Sequence, residues 1–341
     1  MKTYNLCLLG FGNVGRAFAQ LLVAKTDELR AHHDIEWRIT GVATRRMGWQ
    51  ANPAGFDVDA LLADAAPVGP DAAVVSPLSD VRAWLLAARA DVLFETTSLE
   101  PFTGQPAVAH VRAALEAGAH AVTANKGAVV HGYRELSALA SRQGRRFLFE
   151  ATVADCLPVF SLFRECLPAA RVQSFRGILN STTTVILEAL AAGGTFADGV
   201  AHAQSLGITE TDYSYDVDGW DAAVKVCALA NVILDAPLSL DEIAREGIRG
   251  LEAAAVRAAY AANTPYKLVS RAERQSDGRV VASVCPEQIA ANDPLAAVSG
   301  TTLCINFALD VLPGLTLTAH QPNLQSTAYG LLADFINAVR V

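Results

Sequence analysis

The feature that most constrains this fold is the glycine pattern Gly10-Phe11-Gly12-Asn13-Val14-Gly15 near the start of the chain. An apolar run at 6–9, which predicts a strand, comes directly before it, and a stretch with apolar residues at helical spacing follows it. In such a unit the first glycine permits the tight turn, the second lets the backbone approach a pyrophosphate, and the third lets helix and strand pack closely. The pattern therefore predicts a dinucleotide site, with the phosphates at the helix N-terminus, formed by Gly10, Gly12, Asn13, Val14 and Gly15.

The first 150 residues repeat this alternation of short apolar runs and amphipathic helices, as βαβ units on a parallel sheet do. They predict strands at 6–9, 39–43, 92–95, 121–124 and 147–150, and a looser connection at 47–71. After about Pro158 the pattern predicts strands at 172–179, 266–270, 279–284 and 302–309, a long helix at 220–234 and a last helix at 327–339. The predicted fold class is α/β, with an N-terminal Rossmann domain followed by an α+β domain.

Composition excludes several classes of protein. With 341 residues, of which 52% are hydrophobic and 18% charged, the chain is long and apolar enough for two packed domains. A formal net charge of -8 without a block of lysine or arginine argues against nucleic acid or an anionic membrane as a partner. The chain lacks the long apolar run that a membrane helix needs. Its six scattered cysteines have no Cys-x-x-Cys spacing, so we expect reduced thiols in a cytoplasmic protein.

The residues after the second predicted strand bear on the choice between NAD and NADP. A site that prefers NAD usually has Asp or Glu there to bind the ribose hydroxyls, whereas this chain has Thr44, Arg45 and Arg46. A guanidinium at Arg45 suits a 2′-phosphate, so the sequence favours NADP. Ordinary surface charges are the alternative. Thr97 and Ser98, which follow the strand predicted at 92–95, are assigned to the same cofactor site.

Two later segments resemble homoserine dehydrogenases. Residues 121–126, Ala-Val-Thr-Ala-Asn-Lys, are similar to the family's V-x-T-A-N-K element, and 207–225 are similar to its G-Y-x-E-x-D-P…D-V-x-G-x-D-A-x-x-K signature. Segments 150–158 and 177–182 extend the resemblance over nearly the whole chain. It implies a short form without a C-terminal ACT domain that interconverts L-homoserine and L-aspartate 4-semialdehyde with NAD(P), in the pathway to threonine and methionine.

Segment 207–225 also carries chemistry that suits an amino-acid alcohol. Its five acids crowd a loop and a helix start, and carboxylates bind an α-ammonium group; Glu210 is the candidate. Asp221 and Lys225 lie four residues apart on a predicted helix and therefore share one face. A lysine beside carboxylates is suited to exchange a proton with a substrate hydroxyl. A surface ion pair is the alternative.

The resemblance implies further roles for single residues. It implies catalytic roles for Asp221 and Lys225, and it places Lys126 near the substrate and the nicotinamide. Which lysine moves the proton is left open. Asp216 and Thr182 are assigned, with Glu210, to substrate binding.

Domain organisation and assembly also follow from the resemblance. It implies a Rossmann domain of residues 1–150, completed by 310–341, and a substrate-binding and dimerisation domain of 151–309. A homodimer through the sheet of the second domain is expected. Family members bind a monovalent cation through backbone carbonyls near a glycine-richer run than the one found here. The sequence therefore predicts no firm metal and leaves a cation open at Glu150, Val153 and Asp155.

Three other functions compete with this interpretation. A phosphorylating aldehyde dehydrogenase would use Cys156 as its nucleophile, but the sequence offers no obvious histidine partner. A regulatory protein would keep the nucleotide domain and lack catalysis. A dehydrogenase for another small amino acid or hydroxy acid is the third alternative, because Ile208 stands where the family more often has tyrosine.

Overall fold

The computed structural model describes residues 1–63, 80–209 and 212–340, which form two compact units. The first unit is Met1–Pro158 with Asn323–Val341, and the second is Val159–Pro322. Within the described residues, no helix has both the length and the apolar character needed to cross a membrane.

The first unit is built on a six-stranded sheet in the order β3-β2-β1-β4-β5-β6. The strands are β1 (Lys2–Leu9), β2 (Ile35–Thr44), β3 (Gly48–Ala51), β4 (Val92–Glu95), β5 (His120–Thr123) and β6 (Phe147–Leu148). All neighbours are parallel except β3, which is antiparallel to β2. The five strands predicted for this region are confirmed, four of them with shifted ends. The strand order reverses at β1, and a crevice at the carboxyl ends of the strands binds ligands at such a point.

Helices cover this sheet and complete its core. They are α1 (Asn13–Ala24), α2 (Thr26–His33), α3 (Val58–Leu62), α4 (Val81–Ala87), α5 (Ala107–Glu116), α6 (Lys126–Arg142) and the C-terminal α13 (Leu324–Val339). Phe94 of β4 packs between Phe18 of α1 and Phe335 of α13, with ring centroids 4.3 and 5.9 Å away, and all three are fully buried. Burying a side chain of this size stabilises the fold by about 1.5–3 kcal/mol. The apolar stripe predicted for the last helix therefore belongs to the core of the first unit.

The looser connection predicted at 47–71 is wrong in its first part, because β3 and α3 lie there. Tertiary contacts explain the difference. Trp49 of β3 stacks edge-on with the buried Trp84 at 5.4 Å, and the Trp84 indole N–H donates to the Gln50 carbonyl at 2.8 Å. The part of this prediction beyond residue 63 lies outside the described residues.

The second unit has its own six-stranded sheet, in the order β12-β11-β7-β9-β10-β8. The strands are β7 (Val172–Ile178), β8 (Ile243–Arg245), β9 (Tyr266–Arg274), β10 (Val280–Gln288), β11 (Leu303–Leu309) and β12 (Leu315–Ala319). Its pairs are antiparallel apart from β8 with β10. The helices are α7 (Val159–Ser161), α8 (Ser181–Ala191), α9 (Phe196–Ser205), α10 (Ser214–Val217), α11 (Trp220–Ile233) and α12 (Ala253–Ala261). Thus the α+β region and its long helix are confirmed.

The borders of the two units differ from the predicted domains 1–150 with 310–341 and 151–309. After β6 the chain stays with the first unit through a 3₁₀ turn at Glu150–Thr152, where the Glu150 N–H donates to the buried Asp334 carboxylate of α13 at 2.7 Å. At the other border, β12 pairs with β11 in the second sheet, so the chain returns to the first unit only at Asn323.

Candidate active site

The glycine turn after β1 leaves no room for side chains at two of its three glycines. Gly10 has a φ of 95°, and a Cβ there would lie 2.6 Å from the Thr96 carbonyl oxygen. A Cβ on Gly15 would lie 2.6 Å from the Gly10 carbonyl oxygen. At Gly12, by contrast, a Cβ would have nothing within 4 Å. The first and third glycines are therefore required by the protein itself, whereas Gly12 borders open space that a ligand can approach.

This open space belongs to a cavity of about 800 Å³ in the first unit, called the cofactor cavity below. Its volume suits a cofactor. The predicted residues Gly10, Gly12, Arg45, Thr97 and Ser98 line it. The complete lining is Leu9, Gly10, Phe11, Gly12, Arg16, Ala43, Thr44, Arg45, Arg46, Met47, Trp49, Thr96, Thr97, Ser98, Pro106 and His110.

The start of α1 fits a pyrophosphate. Gly12 is its N-cap and supplies no side-chain cap, so first-turn N–H groups lack an intrahelical acceptor and form the positive end of the helix dipole. Asn13 is exposed at this end, whereas Val14 packs against the core. Backbone groups and glycines therefore form the phosphate end of the cofactor cavity, whose lining also includes Arg16 of the first turn of α1.

The loop after β4 is held by the start of α6. Asn125 caps α6 by accepting from the Gly127 N–H at 2.9 Å, and its side-chain amide donates to the carbonyls of Thr97 and Ser98 at 3.2 and 3.3 Å. Lys126, half-buried, is the first residue of α6. Lys126 therefore directly follows Asn125, the residue that holds the loop after β4 at the cofactor cavity.

In the second unit, five polar residues form a hydrogen-bonded group, called the carboxylate–lysine cluster below: Asn180, Thr209, Asp216, Asp221 and Lys225. Asn180 joins its two acids, because its amide donates to the Asp216 carboxylate at 2.7 Å and to the Asp221 carboxylate at 3.1 Å. The Thr209 hydroxyl donates to the other oxygen of Asp216 at 2.9 Å. The acids predicted as separate candidates thus meet around one amide.

Lys225 lies inside this cluster rather than on the surface. Its Nζ is 2.9 Å from Asp221 Oδ2 and donates to the Leu179 carbonyl at 2.6 Å. Both charged side chains are only 14% exposed. The surface ion pair considered for Asp221 and Lys225 is therefore not what the structure contains, because exposed pairs of that kind remain largely in water.

The local fold explains why these groups converge. Asn180 follows β7 and caps α8, accepting from the Thr183 N–H at 2.9 Å, so its amide is oriented by the end of a buried strand. Asp221 and Lys225 are one turn apart near the start of α11. The end of β7 and the start of α11 therefore hold the cluster from two sides.

The charges of the cluster perturb Asp216. Burial raises the pKa of the Asp216 carboxyl, and repulsion from Asp221 raises it further. Hydrogen bonds from Asn180 and Thr209 and the charge of Lys225 act in the opposite direction. Two carboxylates beside one ammonium leave an excess of negative charge, which favours binding of a further cation.

Comparison with known proteins identifies the family. The family described as homoserine dehydrogenase matches residues 158–336, and the NAD-binding domain of homoserine dehydrogenase matches residues 10–150. The chain belongs to the homoserine dehydrogenase family. It is an NAD(P)-dependent oxidoreductase acting on a CH–OH group, and it interconverts L-homoserine and L-aspartate 4-semialdehyde.

Individual members of the family match over nearly the full length of this chain. The NAD(+)-dependent homoserine dehydrogenase of Pseudomonas canavaninivorans is 34% identical over 339 residues, covering 99% of this chain and 96% of the relative. A putative homoserine dehydrogenase of Archaeoglobus fulgidus is similar in structure, with a TM-score of 0.85, 28% identity and coverage of 99% and 100%. A hyperthermophilic archaeal homoserine dehydrogenase in complex with NADPH has a TM-score of 0.82 at 26% identity, covering 99% and 98%.

The structure and the family match do not support the competing functions. Burial and the neighbouring Asp155 carboxylate raise the pKa of the Cys156 thiol, which is the opposite of what a nucleophilic cysteine needs. The family match likewise supports neither a regulatory protein nor a dehydrogenase for another substrate.

Of the other two predicted substrate residues, only Thr182 lies within the described residues. Thr182 is 1% exposed, and its hydroxyl donates to the Ile208 carbonyl at 3.2 Å, so a substrate contact by Thr182 stays a prediction. Glu210 lies outside the described residues.

Sequence reasoning did not assign several residues that the structure brings to the sites. Asn180 and Thr209 complete the carboxylate–lysine cluster. Arg16 and His110 line the cofactor cavity. Among these residues only Asn180 has a recognisable sequence pattern, since an asparagine between a predicted strand and a predicted helix indicates an N-cap.

Proposed function

We propose that Lys225 exchanges a proton with the hydroxyl of homoserine and that Asp221 holds the ammonium group of Lys225 in place. The contacts of Nζ with Asp221 and with the Leu179 carbonyl support this, because they fix the lysine in a partly desolvated position. When bound, the nicotinamide takes up or gives a hydride at the carbon that carries this oxygen. A positioned lysine moves the matching proton, which is general acid–base catalysis. Lys126 is the alternative proton carrier left open by the sequence.

The excess negative charge of the cluster supports a role in binding the substrate's α-ammonium group. Burial and repulsion from Asp221 disfavour the ionised form of the Asp216 carboxyl. A substrate ammonium beside it would relieve this repulsion. We therefore assign Asp216, with Glu210 as predicted from the sequence, to the amino group of homoserine.

NADP is the proposed cofactor. Arg45 lies just after β2 and lines the cofactor cavity together with Arg16 and Arg46. The described lining contains no carboxylate, whereas sites that prefer NAD usually place one after the second strand. Guanidinium groups suit a 2′-phosphate.

Reduction of the nicotinamide with L-homoserine tests the proton transfer. Lys225→Ala should lower kcat about 10³-fold, the size expected when a positioned acid–base group is removed. The control is Lys25→Ala, because Lys25 forms a comparable ion pair with Glu28 at 2.7 Å but is 41% exposed. Equal kcat in wild type and Lys225→Ala would exclude the proposed role of Lys225. If instead only Lys126→Ala lowered kcat about 10³-fold, Lys126 would be the proton carrier.

The cofactor proposal is tested by substituting Arg45. Arg45→Ala should raise the KM for NADP⁺ about tenfold and leave the KM for NAD⁺ within about twofold, because one charge-assisted contact to the 2′-phosphate is lost. Arg38→Ala is the control, since Arg38 is exposed, contacts Asn5 and is absent from the cavity lining. An unchanged preference in Arg45→Ala would mean that Arg45 is an ordinary surface charge.

A homodimer is proposed to form through the sheet of the second unit. One face of this sheet carries Arg176, Arg271 and Asn306 on neighbouring strands, and Val281 there is 50% exposed. Sedimentation velocity should give twice the mass of the chain, and Val281→Glu should shift it towards the monomer.

Two further predictions concern ions and location. A monovalent cation at the backbone of Glu150, Val153 and Asp155 would lie at the 3₁₀ turn Glu150–Thr152 and the residues just after it, where Asp155 has a φ of 56°. Activity in potassium or sodium chloride against choline chloride tests it. A cytoplasmic location also stays a prediction.

A further inference from the structure

The cofactor cavity contains one ionisable ring that the proposed function does not use. His110, on α5, lines the cavity beside Ser98 and Pro106, and its side chain is 10% exposed. Its Nδ1 is 3.3 Å from Oε1 of Glu95, the last residue of β4. The ring therefore has one nitrogen towards a buried acid and its edge at the cavity.

Glu95 is a completely buried acid whose oxygens are engaged by donors. Its Oε1 accepts from the Thr97 N–H at 3.3 Å and from the Thr97 hydroxyl, and its Oε2 accepts from the Thr123 hydroxyl at 3.1 Å. Donors on both oxygens suit a Glu95 carboxylate that accepts, and the His110 tautomer with its proton on Nδ1 matches such an acceptor. In the neutral ring this tautomer leaves Nε2 as an acceptor.

The order of the strands identifies the half of the dinucleotide that His110 faces. In this fold the pyrophosphate lies at the turn after the first strand, and the adenosine ribose lies by the end of the second. These positions are Gly12 and Arg45 here. Since β4 lies on the other side of β1 from β2, residues after β4 face the other nucleotide.

We propose that His110 binds the nicotinamide nucleotide, with Nε2 accepting a hydrogen bond from a ribose hydroxyl, and that Glu95 is the positioning residue that fixes the ring. Glu95 also holds Thr97 of the same cavity loop, so one buried acid orients two groups of the lining. This inference rests on the cofactor site proposed above.

Two conservative variants separate binding from packing. His110→Asn keeps a donor near Glu95 but has no atom at the place of Nε2, whereas His110→Gln reaches the place of Nε2. We expect the Kd of NADPH, measured by fluorescence titration, to rise about tenfold in His110→Asn, which is the loss of one hydrogen bond, and less in His110→Gln. Glu95→Gln should also raise the Kd of NADPH, because the ring of His110 loses its fixed orientation.

A cofactor fragment supplies the decisive control. The Kd of 2′,5′-ADP, which lacks the nicotinamide nucleotide, should stay within about twofold in every variant; ADP serves in the same way if NADH binds more tightly. Equal loss of fragment and dinucleotide, or no loss of either, would overturn the proposal. A wild-type protein that binds no dinucleotide would instead overturn the cofactor site itself.

The wild-type protein offers a second test if the variants fail to fold. In a crystal structure with NADP⁺ bound, His110 Nε2 should lie within hydrogen-bond distance of the nicotinamide ribose. A ring that contacts only Glu95, with the ribose out of reach, would contradict the assignment.

Discussion

The cofactor cavity of the first unit and the carboxylate–lysine cluster of the second are built by different means. The cavity is lined by residues at or just after the ends of β1, β2 and β4, together with residues of α1, β3 and α5, and glycines and backbone groups form its phosphate end. The cluster joins charged and amide side chains from a strand end, a loop and a helix. The cofactor cavity is thus an open space bordered by turns of the chain, whereas the carboxylate–lysine cluster is a group of partly buried, mutually paired charges.

This difference predicts different responses to substitution. Adding a methyl group to the cavity fills space without breaking a contact of the protein. In the cluster, removing one member leaves a partly buried charge or amide without its partner, which costs more than the contact itself contributed. Cavity variants should therefore change affinity, and cluster variants should change turnover.

After Lys225→Ala, the largest expected effect in this comparison comes from the acid that holds Lys225. Asp221→Asn removes the charge paired with Nζ, so the position and charge of the lysine are no longer fixed, and kcat should fall on the order of 10²-fold. The control is Glu28→Gln, which removes the acid of the exposed Lys25 pair and should leave kcat unchanged. If kcat survived in Asp221→Asn, the cluster would be a structural feature and not a catalytic one.

The next largest effect distinguishes two glycines of the same turn. Gly12→Ala should raise the Kd of NADPH about tenfold, because the methyl group enters the cofactor cavity, and the free energy of unfolding should fall by less than about 1 kcal/mol. Gly10→Ala should lower the free energy of unfolding by at least about 2 kcal/mol, because Gly10 has a φ of 95° and the Thr96 carbonyl blocks a Cβ there. Thermal unfolding and fluorescence titration measure both. Similar behaviour of the two variants would contradict the geometry of the turn.

The smallest effect is the pH dependence of stability at Asp216. Its pKa is raised above the ordinary 3.8, so its contribution to stability is present below that value and is lost as pH rises through the folded-state pKa. The stability of Asp216→Asn relative to wild type should therefore increase with pH over this range. Urea unfolding at several pH values measures it.

Asp198 provides a control of opposite sign. Its hydrogen bonds with the Thr195 backbone and hydroxyl lower its pKa, so its contribution is present above 3.8 and is lost as pH falls through the folded-state value. Asp198→Asn should therefore lose stability relative to wild type as pH rises through this range. A parallel pH response of Asp216→Asn and Asp198→Asn would contradict the burial of Asp216.

The two regions also differ in how far the sequence predicts them. Gly10 and Gly12 lie within one short motif, and the strand and helix around it are local, so cavity residues such as Arg45 and Thr97 could be assigned from their place after a strand. His110 could not, because its approach to Glu95 depends on how α5 packs on β4.

The cluster was only partly predictable for a related reason. Asp221 and Lys225 are neighbours on one helix, and their spacing indicates contact. Asn180 is 41 residues from Asp221 in the chain, and only the tertiary fold brings its amide to that carboxylate. Whether the pair lies on the surface or is partly buried is likewise a property of packing and not of spacing.

The most direct test of this division between cofactor binding and proton transfer combines one variant from each region. The Kd of NADPH and kcat with L-homoserine at saturating cofactor are measured in wild type, Gly12→Ala, Lys225→Ala and the double variant. We predict that the Kd rises about tenfold wherever Gly12→Ala is present, that kcat falls about 10³-fold wherever Lys225→Ala is present, and that neither change alters the other. A Lys225→Ala protein with weakened NADPH binding and undiminished kcat would contradict the account.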